Sequence, residues 1–241
     1  MMSMLIRGKS ELRLSPKKIS FSPALLGNIT ATGMPSMIRQ GLNSACTILM
    51  NSTARPYGDA AIAAMSIVTR VSFFTFSMSL GIGQGFQPVS GFNFGAGKFT
   101  RVRKGYRFGL IVSQICMTVF ATIVFIFAPQ ITAALRDDPD VIVIGTRAMR
   151  LMAASQLFMP ITVMTEMLLQ TTGKRLHASI LSAMKSGVIL IPALLILSYL
   201  RGLYGIEEAQ PVSLVLSTIP AVIFAKGFFS KLPRTDDPGP A

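Results

Sequence analysis

Gly81-Ile-Gly-Gln-Gly-Phe-Gln-Pro-Val-Ser-Gly-Phe-Asn-Phe-Gly-Ala-Gly97 runs directly into Lys98-Phe-Thr-Arg-Val-Arg-Lys-Gly-Tyr-Arg107. A long apolar run that begins near Ala60 reaches a stretch crowded with glycine and one proline, then meets five cations and no acid. In a membrane chain this order marks a spanning helix arriving at the cytoplasmic face, where lysine and arginine are retained and glycines let backbones approach closely. The pattern predicts a turn over the glycines and a basic loop from Lys98 to Arg107.

Composition places the whole chain in the same class. It is 51% hydrophobic and 14% charged over 241 residues, with a mean hydropathy of +0.55, 15 Met and 16 Phe. A soluble domain carries about 25% charged residues, so much of this chain must avoid water. The net charge of +13 does not mark a nucleic-acid partner, because such cations would gather on one folded surface. Here they sit between apolar runs. Cys46 and Cys116 fall inside separate apolar runs, which reads as buried thiols, and no metal-ligand spacing is present. The single His177 lies in a basic loop without the paired Ser, Asp or Glu that a membrane hydrolase or acyltransferase needs, so no enzyme is expected.

Six apolar segments follow, roughly 26–50, 60–89, 108–128, 141–170, 178–200 and 210–229. Each reaches the roughly 20 residues that cross a bilayer as a helix, so the fold class is an all-α polytopic membrane protein. The cluster Asp137-Asp138-Pro139-Asp140 predicts the start of the fourth helix, since acids favour a helix N-terminus and Pro fits its first turn. Fifteen Lys and Arg occupy the N-terminal stretch, the loops after the second and fourth segments and the tail, whereas Arg55, Arg136 and Arg201 are the three in the alternate loops. That split places both termini in the cytoplasm and requires an even number of crossings. Glu207 and Glu208 are read as belonging to an outer loop.

Five cations and one acid remain inside the apolar runs: Arg39, Arg70, Arg147, Arg150, Lys185 and Glu166. A charge at membrane depth is costly unless paired or facing a wet cavity. Arg147 and Arg150 lie near the outer acidic loop and read as snorkelling anchors. Arg39, Arg70, Lys185 and Glu166 are functional candidates. Gln40, Asn43, Thr47 and Asn51, preceded by Ser36, recur at helical spacing in the first segment and form one polar stripe. Ser155, Met159, Thr162, Glu166 and Gln170 do the same in the fourth, and Ser66, Arg70, Phe73, Ser77, Gly81 and Gln84 in the second. Three striped helices predict a bundle around a hydrated cavity. Gly33 and Pro35, and later Gly187 and Pro192, are expected to loosen or bend the first and fifth helices. Most of the Met and Phe is assigned to packing.

The residues Gln84-Gly85-x-Gln87-Pro88 and Gly91-x-Asn93-x-Gly95-Ala96 resemble the end of the second helix of each lobe in multidrug and toxic compound extrusion (MATE) transporters. Members of that family have two six-helix lobes related by a pseudo-twofold axis. Thr32-Gly-Met-Pro35 resembles the first helix of the second lobe, and Met1 to Ser22 the basic connection between lobes. The resemblance therefore implies a linker over 1–22, one six-helix lobe of a 6+6 fold over 23–232, and a cytoplasmic tail over 233–241. The first lobe's cation-linked acid has no counterpart here.

The resemblance implies part of a cation-coupled multidrug antiporter exporting cationic or amphipathic compounds, truncated or split and needing a first lobe. It implies no cofactor, with H+ or Na+ as the coupling ion of an intact transporter. The expected partners are the lipid bilayer, the missing lobe or a second copy, and small amphipathic drug-like substrates, in the cytoplasmic (inner) membrane. A lipid or polysaccharide flippase lobe and a non-transporting membrane fragment are the alternatives.

Overall fold

A computed structural model describes residues 22–233 and 236 of the chain. The linker read over 1–22 lies outside them except for Ser22, as does the tail except for Pro233 and Asp236. The order of elements is α1 (Pro23–Ala54), a 3-10 turn (Arg55–Tyr57), α2 (Asp59–Gly95), α3 (Phe99–Ile126), α4 (Ala128–Leu135), α5 (Pro139–Gln156), α6 (Met159–Thr171), α7 (Arg175–Ala183), a π turn (Met184–Val188), α8 (Leu190–Arg201) and α9 (Leu203–Lys231). No strand occurs among the described residues. The chain divides into two units, Met1–Gly33 and Met34–Ala241. In the first, Thr30 Oγ1 donates to the Leu26 carbonyl at 2.9 Å.

The helices α2, α3 and α9, and the run α7 to α8, are each long and apolar enough to cross a bilayer; α5 and α6, bent by 50° at Leu157–Phe158, add a fifth span if taken together. The first helix has the length but not the apolarity, because Gln40, Asn43, Ser44, Thr47 and Asn51 interrupt it. The fourth segment is thus not the continuous helix expected. Its start is as expected: Asp138 Oδ1 accepts from the Asp140 and Val141 amides at 3.0 and 3.5 Å, with Pro139 in the first turn.

Three expectations are corrected. The glycine stretch is not a turn: α2 stays helical through Gly81, Gly85, Pro88 and Gly91 to Gly95, and only then does the chain reverse, with Gly97 at φ +67°. Gly and Pro are poor helix formers in water, but in hydrocarbon an unwound backbone leaves polar groups unsatisfied, so the helix persists. The basic run is likewise no loop, since Arg101 to Arg107 form the first turns of α3. Glu207 and Glu208 lie inside α9, which begins at Leu203. Of the expected bends, α1 runs helically through Gly33 and Pro35, whereas Gly187 falls in the π turn that precedes Pro192. The proline lacks a donor N–H, and the wider turn accommodates its ring.

Packing is that of a protein whose solvent is lipid. Helix α3 buries Gly109, Ser113, Met117 and Ala121 at helical spacing and exposes Phe108, Ile111, Ile115 and Val119. Apart from Met117, small and polar groups of this row face the neighbours and large apolar ones face outward, as expected where burial of apolar surface gives no advantage. Helix α2 packs on α3, α5 and α6, and α9 on α5, α6 and α8. At the last of these contacts a Cβ on Gly205 would run into the Leu197 carbonyl, so only glycine permits that approach. Met65, Met117, Met149 and Met164 are fully buried, consistent with the packing role assigned to methionine.

Candidate functional site: a polar cavity inside the lobe

A cavity of about 240 Å³ opens between α1, α2, the α5–α6 bend, the π turn and α9. One wall is the first-helix stripe, with Gln40, Asn43 and Thr47 on one face together with Ser44, Cys46 and Met50. Its hydroxyls are held locally: Thr47 Oγ1 donates to the Asn43 carbonyl at 2.8 Å, and Ser44 Oγ to that of Gln40 at 3.1 Å. Opposite stand Thr69, Ser72, Phe73 and Phe76 of α2, with Met152 and Met159 on either side of the bend. The π turn supplies Lys185 and Ser186. The Lys185 Nζ lies 4.2 Å from the centre of the Phe76 ring, close enough for a cation–π contact. Cys46 Sγ donates to the Ser186 carbonyl at 3.0 Å and ties α1 to that turn. Gln210 of α9 completes the wall, and its Oε1 is buried without a hydrogen-bond partner among the described residues.

The structure brings Gln40, Asn43, Thr47, Met159 and Lys185 together, and separates the remaining candidates from them. Asn51 is half-buried outside the cavity wall. Ser155 is buried and donates to the Met152 carbonyl at 2.8 Å. Thr162 is fully buried, with no hydrogen-bond partner for its hydroxyl among the described residues. Glu166 is 1% exposed on α6, where Ser182 Oγ of α7 donates to its Oε1 at 3.0 Å. Arg70 is exposed, so the expected α2 stripe largely faces away; only Phe73 of it joins the cavity, and Thr69, Ser72 and Phe76 take the inner face. The side chains of Arg39 and Ser36 lie outside the described ones. Gln210 and Ser186 were missed by the sequence reading because neither belongs to a periodic stripe.

Charges near the other end pair as structural anchors. Arg147 grips Glu207 through Nε and Nη2, both at 2.6 Å, and stacks 3.8 Å over the Tyr204 ring. Glu207 is 2% exposed, so Glu166 is not the only acid buried in a helix of this lobe. Arg150 donates to the Phe125 carbonyl at 3.3 Å.

The glycine-rich motif forms a contact between helices and does not line the cavity. Gln87 Nε2 donates to Gln170 Oε1 at 3.2 Å and approaches Met167 Sδ at 3.0 Å; Ser90 and Thr171 hydroxyls meet at 2.9 Å. Asn93 Nδ2 donates to the Val89 carbonyl at 2.8 Å. A Cβ on Gly91 would lie 4.0 Å from Thr171 Cβ, whereas Gln84, Gly85, Pro88, Gly95 and Ala96 are exposed. One side of the motif thus locks α2 to α6.

At the basic end, Arg103 of α3 donates to the carbonyls of Phe229, Leu232 and Pro233 at 3.3, 2.7 and 2.9 Å. A cation there complements the negative end of α9. In return the Thr100 amide, in the first turn of α3, donates to Asp236 Oδ1 at 2.7 Å. That bond holds the Asp236 carboxyl below its ordinary pKa.

Comparison with known proteins agrees with this architecture. The chain is 26% identical over 200 residues to the multidrug export protein MepA of Staphylococcus haemolyticus, covering 83% of this chain and 44% of that protein. Among solved structures, a MATE transporter in complex with MaL6 superposes with a TM-score of 0.86 at 19% identity, covering 96% of this chain and 53% of the other. An outward-facing multidrug resistance MATE family transporter of the MOP superfamily gives 0.85 at 19% identity, over 97% and 53%. The chain spans about half the length of the relatives it matches, as one lobe would. The MatE family model matches residues 35–196, which is most of the helical lobe, and the chain belongs to that family.

Proposed function

We propose that this chain forms one lobe of a secondary multidrug efflux transporter in the cytoplasmic membrane, with both termini inside. Together with a first lobe, or a second copy of itself, it exports cationic or amphipathic compounds by antiport against H+ or Na+. The observation that carries this reading is the cavity, where a polar stripe faces aromatic and methionine side chains. Its volume of about 240 Å³ falls below the roughly 300–1,000 Å³ of ordinary ligand pockets. A partner lobe that extends it would bring it into that range. One described ammonium, Lys185, in the wall is too little charge for the pyrophosphate head groups of a flippase substrate, which favours efflux.

Gln40, Asn43, Thr47 and Met159 are assigned to the substrate pathway, and Glu166 to the coupling-ion pathway through its burial beside Ser182. Ethidium accumulation in cells lacking their own pumps tests this. The chain co-expressed with a first lobe lowers accumulation, and Asn43→Leu or Glu166→Gln restores it at unchanged protein level. Accumulation unaffected by the paired lobes would overturn the efflux reading.

A further inference from the structure

A second cavity, of about 420 Å³, lies at the basic end of the bundle, apart from the polar one. Four rings, Phe94, Phe99, Phe224 and Phe228, form its floor. Lys174 and Lys231, both exposed, stand at its rim, and His177 meets the Phe224 ring edge-on at 5.4 Å between centres. Along α9, Ile223, Gly227 and Lys231 follow one another at one-turn spacing and are all exposed, so the cavity opens sideways. A Cβ on Gly227 would meet nothing within 4 Å. No acid is among the lining residues, and Asp236, three residues beyond Pro233, is engaged by the Thr100 amide.

An aromatic groove that opens on the side of the bundle, with two ammonium groups at its rim and none of the opposite charge in its wall, complements one kind of molecule. We propose that this groove binds an anionic phospholipid of the cytoplasmic leaflet, with an acyl chain on the phenylalanine floor and its phosphate between Lys174 and Lys231. Basic pockets between helices on the cytoplasmic side hold anionic head groups for the same electrostatic reason. Neutral lipid would gain the apolar contact alone.

The chain has no tryptophan, so Phe224→Trp supplies a sole tryptophan reporter, and Ile223→Trp, on the exposed side, is its alternative if the first folds poorly. The full chain is reconstituted in vesicles of phosphatidylcholine containing brominated phosphatidylglycerol or brominated phosphatidylcholine. Quenching is expected at about thirtyfold lower fraction of the anionic lipid, the order of effect of two lysines close to a phosphate. Lys174→Gln with Lys231→Gln abolishes the preference, and Gly227→Leu, which fills the groove, lowers quenching by both lipids. Phe108→Trp, on the exposed face of α3 beside Arg107, reports diffuse attraction by the basic end. An equal preference there would overturn the proposal, as would one that survives loss of both lysines. Absence of quenching by either lipid would mean that protein covers the groove, and would overturn it too.

Discussion

Arg147 on α5 and Glu207 on α9 share two hydrogen bonds of 2.6 Å, although their positions lie 60 residues apart, and the carboxylate is almost entirely buried. Removing one partner of a buried pair leaves the other charge uncompensated and costs about 3–5 kcal/mol. Since the Arg147 side chain is 37% exposed, the loss should fall at the lower end. Arg147→Met is expected to lower the unfolding temperature in detergent by several degrees, and Arg147→Met combined with Glu207→Met to recover most of it. A single variant as stable as the parent would show that the pair is dispensable.

The contact at Gly205 makes a narrower claim. Gly205→Ala, which sets a methyl group against the Leu197 carbonyl, is expected to separate α8 from α9 and to cut the yield of monodisperse protein at least by half. Gly85→Ala meets nothing within 4 Å and serves as the control, with yield unchanged. Equal yields for the two would remove close approach as the reason for glycine at 205.

Asp236 gives a pH dependence with a definite sign. Its carboxyl is lowered from the ordinary value chiefly by the Thr100 amide. A depressed acid contributes its stabilisation above the unfolded pKa and loses it as pH falls through the folded one. The tail contact should therefore persist at neutral and mildly acid pH and release only below the usual carboxylate range. Trypsin at pH 8 should cut after Lys231 and Arg234 faster in Asp236→Asn than in the parent. Arg103→Ala, which frees three carbonyls at the end of α9, should raise cutting further and cost about 1 kcal/mol.

The orientation proposed from the fifteen-to-three cation split is open to direct labelling. In a variant without Cys46 and Cys116, a cysteine at the exposed Lys104 should react only from the cytoplasm and one at the exposed Asp137 only from outside. The reverse pattern would invert the lobe and place the lipid groove in the other leaflet.

The sequence located the helices well and their ends poorly. Apolar runs and the Asp138 cap are local signals, and both are seen in the structure. The helical course of Gly81 to Gly95 was illegible because propensities measured in water invert in weight where no water competes for the backbone. Periodicity placed Gln40, Asn43 and Thr47 on one face, but could not show that the cavity ends at Met159 and leaves Glu166, two turns further along α6, beside Ser182. For α2 the stripe pointed one position to the wrong side: Arg70 attracted attention as a charge, whereas the inner face belonged to Thr69, Ser72 and Phe76. Glu207 was read as loop because its arginine partner is distant in sequence.

The π turn at Met184–Val188 has a consequence for how this lobe can vary in length. Its amides reach one residue further back than those of an α-helix, as the Ile189 amide does to the Met184 carbonyl, so the turn stores one surplus residue. Loss of a single residue in α7 would rotate every later side chain by about 100° and carry Leu190 and Leu194 off the buried face. Loss of one within the π turn would convert it to an ordinary α turn and keep both in register, at the expense of the Cys46 contact. This span therefore has one place where a codon can be deleted without inverting the helix that follows.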